Sequence, residues 1–386
     1  MSEPYSKTEM KVLITGDFCP QDRVASLLEI NGKGVFDPGV IKCIEEADYA
    51  ITNFECAVAD ALDGGIPKCG PHLRCSDKAI RYLKDSGFNC VTLANNHFRD
   101  YGDAGVGKTL EALKSCSIDY VGGGRNIEEA TRVLYKTIGG VSFAIINVCE
   151  NEFSIASETR GGSAPLDVID VCHRIQTAKE KDGYVIVIVH GGHEHFQYPS
   201  PRMKKWYRYF VENGADAVVN HHQHCYSGYE EYCGKPIFYG LGNFCFDHPK
   251  KRAGIWNEGY MVAMDITEAG IDYELIPYRQ CDKTPSVDLM VDEQKQTFEQ
   301  MVKAISDTIA DDRLLDEKYT EFLKNKMDKM LCPFTPYMNE YARVAAGRHY
   351  LPYLIPQKKL AQMLDFIACE AQRDVLIAGM QSHLEK

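Results

Sequence analysis

The sequence predicts an α/β fold, and two observations carry this prediction. Over the first 280 residues, short runs of β-branched residues alternate with amphipathic stretches, which is the pattern of sheets covered by helices. In addition, hydrophobic residues make up 45% and charged residues 25% of the 386-residue chain, as in ordinary globular proteins. A disordered or fibrous chain is therefore excluded, and we expect an α/β sandwich.

The individual elements are predicted from the periodicity of apolar residues. Strands are predicted at 11–15, 48–53, 90–94, 118–121, 142–148, 184–189, 216–219 and 236–240. Helices are predicted at 22–30, 38–46, 77–86, 104–116, 167–181 and 201–213. Farther along the chain, apolar and polar residues alternate at 260–267 and 271–278, which predicts an antiparallel hairpin.

A change in composition near Thr284 divides the chain into two predicted regions. Residues 1–284 contain all the predicted strands and all the motifs described below. From Asp292 onward, Glu, Lys, Gln, Leu and Met recur at helical spacing, with prolines as interruptions. We therefore predict a helical C-terminal extension at 285–386, in which no motif indicates a function.

Charge, cysteine content and the length of apolar runs indicate which partners and which compartment to expect. The chain has 43 basic and 55 acidic side chains, hence a formal charge of −12, which does not favour binding to nucleic acid. Its 15 cysteines are scattered without a zinc-ribbon spacing, so we expect reduced thiols. No apolar run is long enough to span a membrane. We expect a cytoplasmic protein without a membrane anchor, and nothing in the sequence indicates its oligomeric state.

Metal-capable side chains follow five of the predicted strands at the point where each strand ends. In a mostly parallel sheet the carboxyl ends of the strands share one edge, so these side chains are expected to converge there. They are Asp17, Asn53 with Glu55, Asn95 to His97, His190, and His222 with His224. Five blocks in the same topological position predict a metal site rather than five unrelated loops.

The distribution of histidines agrees with a metal site. Six of the 12 histidines lie between 190 and 224. His190 directly follows an apolar run, and we expect it to bind metal together with His222 and His224. Nitrogen and oxygen ligands without a thiolate suit Mn, Fe or Zn. Three further histidines are open to ligation or to ordinary solvation: His193, His195 and His221.

The order and spacing of these blocks resemble one protein family. The matching segments are Asp17, Asn53–Glu55, Ala94–His97 with Asp100–Gly102, His190–Glu194 with Pro199, Asn220–His224 and Gly234–Phe244. Over residues 11–247 the chain is similar to the CapA-type capsule and poly-γ-glutamate biosynthesis proteins, a branch of the calcineurin-like metallophosphoesterases. The resemblance implies a metallophosphoesterase-like β-sandwich flanked by helices, in four layers (αββα), with a two-metal site at one edge.

The resemblance also implies roles for individual residues. The metal ligands that it implies, for one or two divalent ions per chain, are Asp17, Glu55, Asn96, His190, His222 and His224. It implies a metal-activated hydroxide as nucleophile and His97 as the active-site histidine, which we expect to act with Asp100. Residues expected to contact the substrate are Arg74, Asn95, His193 and Glu194, although an arginine in the position of Arg74 is more often a solvated surface charge. The superfamily has a histidine where this chain has Cys19, which we expect to be a small buried residue rather than a ligand.

Two functional classes fit these residues. The first is a metal-dependent phosphoesterase-like hydrolase of the CapA type, which acts on a phosphate-containing or anionic polymer-linked substrate. The second is a non-catalytic accessory protein of capsule or poly-γ-glutamate synthesis that retains the fold. The complete set of ligands favours an enzyme, while the substrate and the metal cannot be identified from the sequence.

Overall fold

In the computed structural model, the described residues are 9–30, 34–60, 63–68, 70–181, 183–331, 340–348 and a few residues between 350 and 380. Met1–Leu315 forms one compact unit, hereafter the first unit, and Asp316–Lys386 forms a second. All the residues of the candidate site belong to the first unit.

Strands and helices alternate through the first unit. In chain order the described strands are β1 (Glu9–Phe18), β2 (Tyr49–Phe54), β3 (Ala57–Val58), β4 (Arg74–Cys75), β5 (Cys90–Thr92), β6 (Asp119–Val121), β7 (Gly123–Gly124), β8 (Leu134–Ile138), β9 (Val141–Cys149), β10 (Gly162–Ser163), β11 (Tyr184–His190), β12 (Ala217–His221), β13 (Tyr229–Tyr232), β14 (Lys235–Phe238), β15 (Asn243–Cys245), β16 (Glu258–Thr267), β17 (Gly270–Gln280) and β18 (Val287–Leu289). The described helices are α1 (Asp22–Ile30), α2 (Pro38–Glu45), α3 (Lys78–Asp85), α4 (Gly102–Ser115), α5 (Ile127–Ala130), α6 (Val168–Lys179), α7 (Pro201–Glu212), α8 (Asp292–Ala310), α9 (Asp312–Leu331) and α10 (Glu340–Gly347). Each predicted strand and helix is present, with its ends shifted by at most three residues.

The first of the two large sheets has eight strands. Its order is β18-β17-β16-β1-β2-β5-β6, and β15 also pairs with β1. Strands β1, β2, β5 and β6 run parallel, whereas β16 and β17 form the predicted antiparallel hairpin. Strand β2 is buried along its whole length, and its two polar residues, Thr52 and Asn53, have hydrogen-bond partners.

The second large sheet has six strands in the order β13-β14-β12-β11-β9-β8. Its four central strands, β9, β11, β12 and β14, run parallel, and the edge strands β8 and β13 are antiparallel to their neighbours. The centre of this sheet is β11, whose residues Val185–Val189 are fully buried. Each large sheet therefore contains adjacent parallel strands. The predicted site requires such strands, because it lies where their carboxyl ends meet.

The two large sheets share one hydrophobic core. It includes Val12 and Val262 from the first sheet and Ile145 and Val187 from the second. A second core lies between the first sheet and α1 to α4, while α6 and α7 pack on strands of the second sheet. The order of layers is therefore α, β, β, α, which confirms the predicted four-layer fold.

The strand registers bring the predicted site residues to one edge. Asp17 at the end of β1 lies opposite Asn53 of β2, and the β1 register shifts between Ile14 and Asp17. In the second sheet, His190 of β11 lies opposite His221 of β12. The carboxyl ends of parallel strands from both sheets thus deliver polar side chains to the same rim.

Helix α8 belongs to the first unit. Its side chains Phe298 and Val302 are buried, and the ring of Phe298 lies 4.5 Å from that of Tyr226. The predicted boundary at 284/285 places α8 in the extension, whereas the compact unit continues to Leu315. The difference arises because the apolar stripe of α8 completes the core of the sandwich, and the sequence does not show which surface such a stripe covers.

The C-terminal region is helical, as predicted, since it contains α9 and α10. Most of 349–386 lies outside the described residues. Among the described residues, no helix combines the length and the apolar character needed to cross a membrane.

We expect Phe298→Ala to lower the free energy of unfolding by about 3 kcal/mol, because truncating a buried ring removes apolar contacts and leaves a cavity. The control is Gln300→Ala on the exposed side of the same helix. This substitution should change the free energy of unfolding by less than about 0.5 kcal/mol. Urea unfolding followed by tryptophan fluorescence measures both values. Equal stability of the two variants would show that α8 does not complete the core.

Candidate metal centre

Two groups of potential metal ligands lie at the shared rim of the sheets, and they have one residue in common. The first group is Asp17, Glu55 and His224, and the second is Glu55, His190 and His222. Within each group, one ligand atom per residue lies within 4.8 Å of the others, and all these residues are buried. The carboxylate of Glu55 is therefore common to both groups of potential ligands.

The carboxylate of Glu55 carries a large electrostatic cost in the protein alone. The side chain is 0% exposed, and within the described chain neither of its oxygens has a hydrogen-bond partner. Its Oε1 lies 3.6 Å from Nε2 of both His190 and His224. A buried carboxylate without hydrogen bonds is unfavourable unless a cation compensates it, so this geometry fits a divalent metal.

Asp17 is held in place by the first sheet. Its Oδ1 accepts a hydrogen bond from Nδ2 of Asn53 at 2.8 Å, and its Oδ2 accepts one from the backbone N–H of His222 at 3.3 Å. The Oδ2 atom lies 3.8 Å from Nδ1 of His224. Asn53 therefore orients a predicted ligand, and its own Oδ1 accepts from Thr92.

The atoms of the second group converge on one point. Nε2 of His190 lies 3.1 Å from Nδ1 of His222 and 3.0 Å from Oδ1 of Asn96. Asn96 is the predicted neutral oxygen ligand. With Asn96 added to Glu55, His190 and His222, the second group has four candidate ligands. The other ring nitrogen of His190, Nδ1, lies 3.2 Å from Nδ2 of Asn53. Asn53 thus links the ligands of the two sheets.

Burial shifts the pKa values of these ligands in opposite directions. It raises the pKa of Asp17 to about 7 and the pKa of Glu55 well above its ordinary value. It lowers the pKa of His190 and of His224 well below the ordinary value of histidine, and neighbouring histidines lower both further. At neutral pH the histidines are therefore neutral and able to bind a metal, while Glu55 favours a proton and Asp17 is partly protonated until a cation replaces the proton.

The backbone is strained at the histidines of the site. His222 has a φ of 91° and His224 a φ of 54°, in the region that favours glycine. The strand β12 ends at His221, and the left-handed residues that follow direct two imidazoles back toward Glu55. Strain of this kind persists where the surrounding structure imposes it, and it is commonly found at functional sites.

Cys19 belongs to a cluster of thiols rather than to either ligand group. It is fully buried and hydrogen bonds to Cys56, whose sulfur lies 3.4 Å from that of Cys75. Burial raises the pKa of Cys19 to about 11, so the thiol keeps its proton at neutral pH. This placement agrees with the expected small buried residue, and it leaves three candidate ligands in the Asp17 group.

The predicted catalytic pair is present, and a lysine joins it. Nδ1 of His97 lies 2.7 Å from Oδ2 of Asp100, which fixes the ring and leaves Nε2 for other contacts. The ammonium of Lys68 hydrogen bonds to Oδ1 of Asp100 and lies 3.2 Å from Nδ1 of His97. Burial lowers the pKa of His97, and the carboxylate of Asp100 acts in the opposite direction.

The four predicted substrate contacts have different surroundings. Asn95 holds the turn, because its Nδ2 donates to the carbonyl of Phe54 at 2.9 Å and its Oδ1 accepts from the N–H of His97 at 3.0 Å. Arg74 begins β4. His193 lies near His222. Burial is the main cause of the lowered pKa of His222, and the charge of His193 lowers this pKa further. Glu194 is exposed, and its charge adds to burial in raising the pKa of Glu55. Contact of these four residues with substrate stays a prediction.

Lys68 and Glu152 near the centre were not predicted, and His221 was left open between ligation and solvation. Lys68 has a side chain only 3% exposed, although a loop lysine is normally solvated, so no sequence signal reveals it. His221 is buried with Nδ1 3.4 Å from Oδ1 of Asp17, and burial lowers its pKa to about 3. Glu152 lies 3.9 Å from Nε2 of His222. The cluster of acids after β9 could have indicated Glu152, because it follows a strand in the same way as the predicted ligands.

The fold and the site together define a class of protein: a four-layer αββα sandwich with a candidate metal centre at the rim where parallel strands end. The sequence of the chain also matches a protein family. The family model described as Bacterial capsule synthesis protein PGA_cap matches residues 11–248, and the chain belongs to this family. The resemblance found in the motifs is thereby confirmed.

Two curated relatives and one solved structure illustrate the likeness. The capsule biosynthesis protein CapA of Bacillus anthracis is 30% identical over 247 residues, which cover 62% of this chain and 60% of that protein. The PGA biosynthesis protein CapA of Bacillus subtilis (strain 168) is 30% identical over 286 residues, 73% of this chain and 74% of that protein. A 5'-nucleotidase precursor from Thermus thermophilus aligns with 83% of this chain and 60% of its own, at 13% identity and a TM-score of 0.41.

We expect metal binding to release protons at neutral pH. The raised pKa values of Asp17 and Glu55 mean that a proton competes with the ion for each carboxylate, whereas the histidines are already neutral. The affinity for Mn should therefore rise between pH 6 and 8, by up to about tenfold per pH unit for each proton released.

Titration calorimetry in buffers of different ionisation enthalpy counts these protons. His173→Ala, which removes an exposed histidine on α6, is the control and should leave the pH dependence unchanged. An affinity that does not change between pH 6 and 8 would contradict the raised pKa values.

Proposed function

We propose that this protein is a metal-dependent, phosphoesterase-like hydrolase that acts in the synthesis of a capsule or of poly-γ-glutamate. The observation that carries the proposal is the buried Glu55 carboxylate, which is shared by two ligand groups and, within the described chain, has no hydrogen bond to either oxygen. The names of the CapA relatives support the biological setting. The proposed substrate is phosphate-containing or linked to an anionic polymer.

The candidate ligands support a centre for one or two divalent ions, with Glu55 common to both positions. Asp17, Glu55 and His224 would hold one ion. Glu55, Asn96, His190 and His222 would hold the other. The mixed nitrogen and oxygen donors suit Mn, Zn or Fe. Two such ions, when bound, supply activation of a water molecule as nucleophile and neutralisation of charge on the phosphoryl oxygens.

The protein's own contribution centres on His97. Its Nδ1 is engaged by Asp100, so Nε2 is the atom that can exchange a proton with substrate. Burial favours the neutral ring, but an anionic phosphoryl group beside it would favour the imidazolium, as Asp100 already does. An imidazolium in this position can donate a proton to the leaving group. Lys68 fixes Asp100 and so acts as a positioning residue.

A non-catalytic accessory role is the second candidate, and one observation favours it. The Asp17 group has three ligands, because Cys19 is committed to the thiol cluster. A weakly held or absent first ion would leave a fold with one structural ion and no two-metal chemistry. Turnover measurements decide between the two candidates.

We expect protein loaded with Mn to hydrolyse bis(p-nitrophenyl) phosphate, and His190→Ala to abolish this activity together with part of the bound metal. The matched control is His173→Ala, since His173 is an exposed histidine outside both ligand groups. Mass spectrometry of bound metal accompanies the assay of released nitrophenol. Unchanged metal content in His190→Ala would refute the assigned centre, and metal without turnover of any aryl phosphoester would favour the accessory role.

His97→Ala should retain metal and lower turnover by about 10²–10⁴-fold, because it removes the group proposed to protonate the leaving group. The loss should be larger for phenyl phosphoesters than for nitrophenyl phosphoesters, since nitrophenolate leaves without a proton. Rates for a series of substituted phenols measure this difference. Equal losses across the series would contradict the proton-donor role of His97.

A further inference from the structure

A cavity of about 520 Å³ opens beside the candidate metal centre, lined by His195 and residues 250–256. One wall is the ring of Trp256, which lies 5.0 Å from the ring of His224. His195 also lines the cavity, and its ring lies 6.3 Å from that of His224. The cavity therefore adjoins the ion position of the Asp17 group, and a ligand bound there could extend from one to the other.

The cavity carries a cation that has no carboxylate partner among the described residues. The ammonium of Lys251 lies 3.5 Å from the centre of the Trp256 ring and donates to Nε2 of His195 at 3.1 Å. Its neighbour Arg252 differs, because it forms ion pairs with Asp22 and Asp247. Lys251 thus keeps donor capacity for a further acceptor, since an ammonium has three hydrogens.

The surroundings of Lys251 favour an anion. Lys250 is exposed and precedes Lys251 directly, so two lysines line the cavity beside the paired Arg252, in a chain whose formal charge is −12. Burial lowers the pKa of Lys251, while the charge of Glu194 raises it. A bound anion would stabilise the charged ammonium and would be attracted by both lysines.

The backbone conformation and a backbone hydrogen bond hold His195 in position. It has a φ of 62°, and its backbone N–H donates to the carbonyl of Gln223 at 2.8 Å. This bond attaches the loop after β11 to the segment that carries His222 and His224. The same backbone conformation presents the ring to Lys251, which fixes the ammonium relative to the ligand groups.

We propose that the Lys251 cavity is a subsite for a second anionic group of the substrate, a carboxylate or a phosphate, next to the group that reacts at the metal centre. The inference rests on the proposed function, because it assumes that the reacting group sits between the Asp17 and His190 sides of the centre. It adds a substrate class: molecules with at least two anionic groups on a short chain.

Two probes distinguish the sources of the anion. One is a γ-linked hexamer of glutamate, and the other is the bisphosphate of propanediol. Titration calorimetry measures their affinity for protein loaded with Mn, for Lys251→Met, for the conservative variant Lys251→Arg, and for Lys303→Met. Lys303 is the control because it is an exposed lysine on α8 that pairs with Asp307.

Lys251→Met should weaken binding of one probe about five- to tenfold at low salt, and less at high salt, because one charge-assisted hydrogen bond is lost. Lys251→Arg should restore most of the affinity, and Lys303→Met should match the native protein. A loss for the hexamer identifies a carboxylate subsite, and a loss for the bisphosphate identifies a phosphate subsite. Affinities that Lys251→Met leaves unchanged, or absence of binding of both probes to the native protein, would overturn the proposal.

The binding assay does not depend on turnover, so the two proposals can fail separately. Binding that depends on Lys251 in a protein without hydrolytic activity would refute the proposed function and retain an anion site. Hydrolysis accompanied by binding that is independent of Lys251 would refute the subsite alone.

Discussion

The charge of Glu55 is the constraint on which the rest of the site depends. A carboxylate buried between two sheets, with no hydrogen bond to its oxygens from the described chain, destabilises the protein unless a cation offsets it. The neighbouring groups are arranged for such a cation. The histidines around Glu55 are kept neutral by burial, and Asp17 is oriented by Asn53 on the adjacent strand. The protein therefore buries an ionisable carboxyl group whose charged form is unfavourable on its own and would become favourable beside a cation.

The two sheets each supply half of this arrangement, and their contact fixes it. Asn53 of the first sheet reaches both Asp17 and His190, and Asn96 reaches His190 from the turn after β5. Because these links cross between sheets, the geometry of the ligands depends on the packing of the shared core. A small shift of one sheet against the other would move Asp17 and Glu55 of the first sheet away from the histidines of the second, so stability and metal binding are connected in this fold.

Much of the fold and of the ligand set could be predicted from the sequence, since both depend on local signals. Apolar runs marked the central strands, and His190, Glu55 and Asp17 each follow such a run closely. The features that could not be predicted depend on contacts between residues that are far apart in the sequence. Lys68 lies in an irregular loop, and its buried ammonium pairs with Asp100, which is 32 residues away in the sequence. The place of α8 in the first unit likewise depends on which surface its apolar stripe covers.

The most direct test of the account is a crystal structure of protein soaked with Mn, with anomalous scattering measured at the manganese edge. We predict two anomalous peaks about 3.5–4 Å apart, one on each side of the Glu55 carboxylate. The peak beside His190 should be at least as strong as the peak beside Asp17, because the His190 group has one more ligand. Peaks that do not touch Glu55, or no peak at this rim, would contradict the proposal that Glu55 is shared by both ion positions.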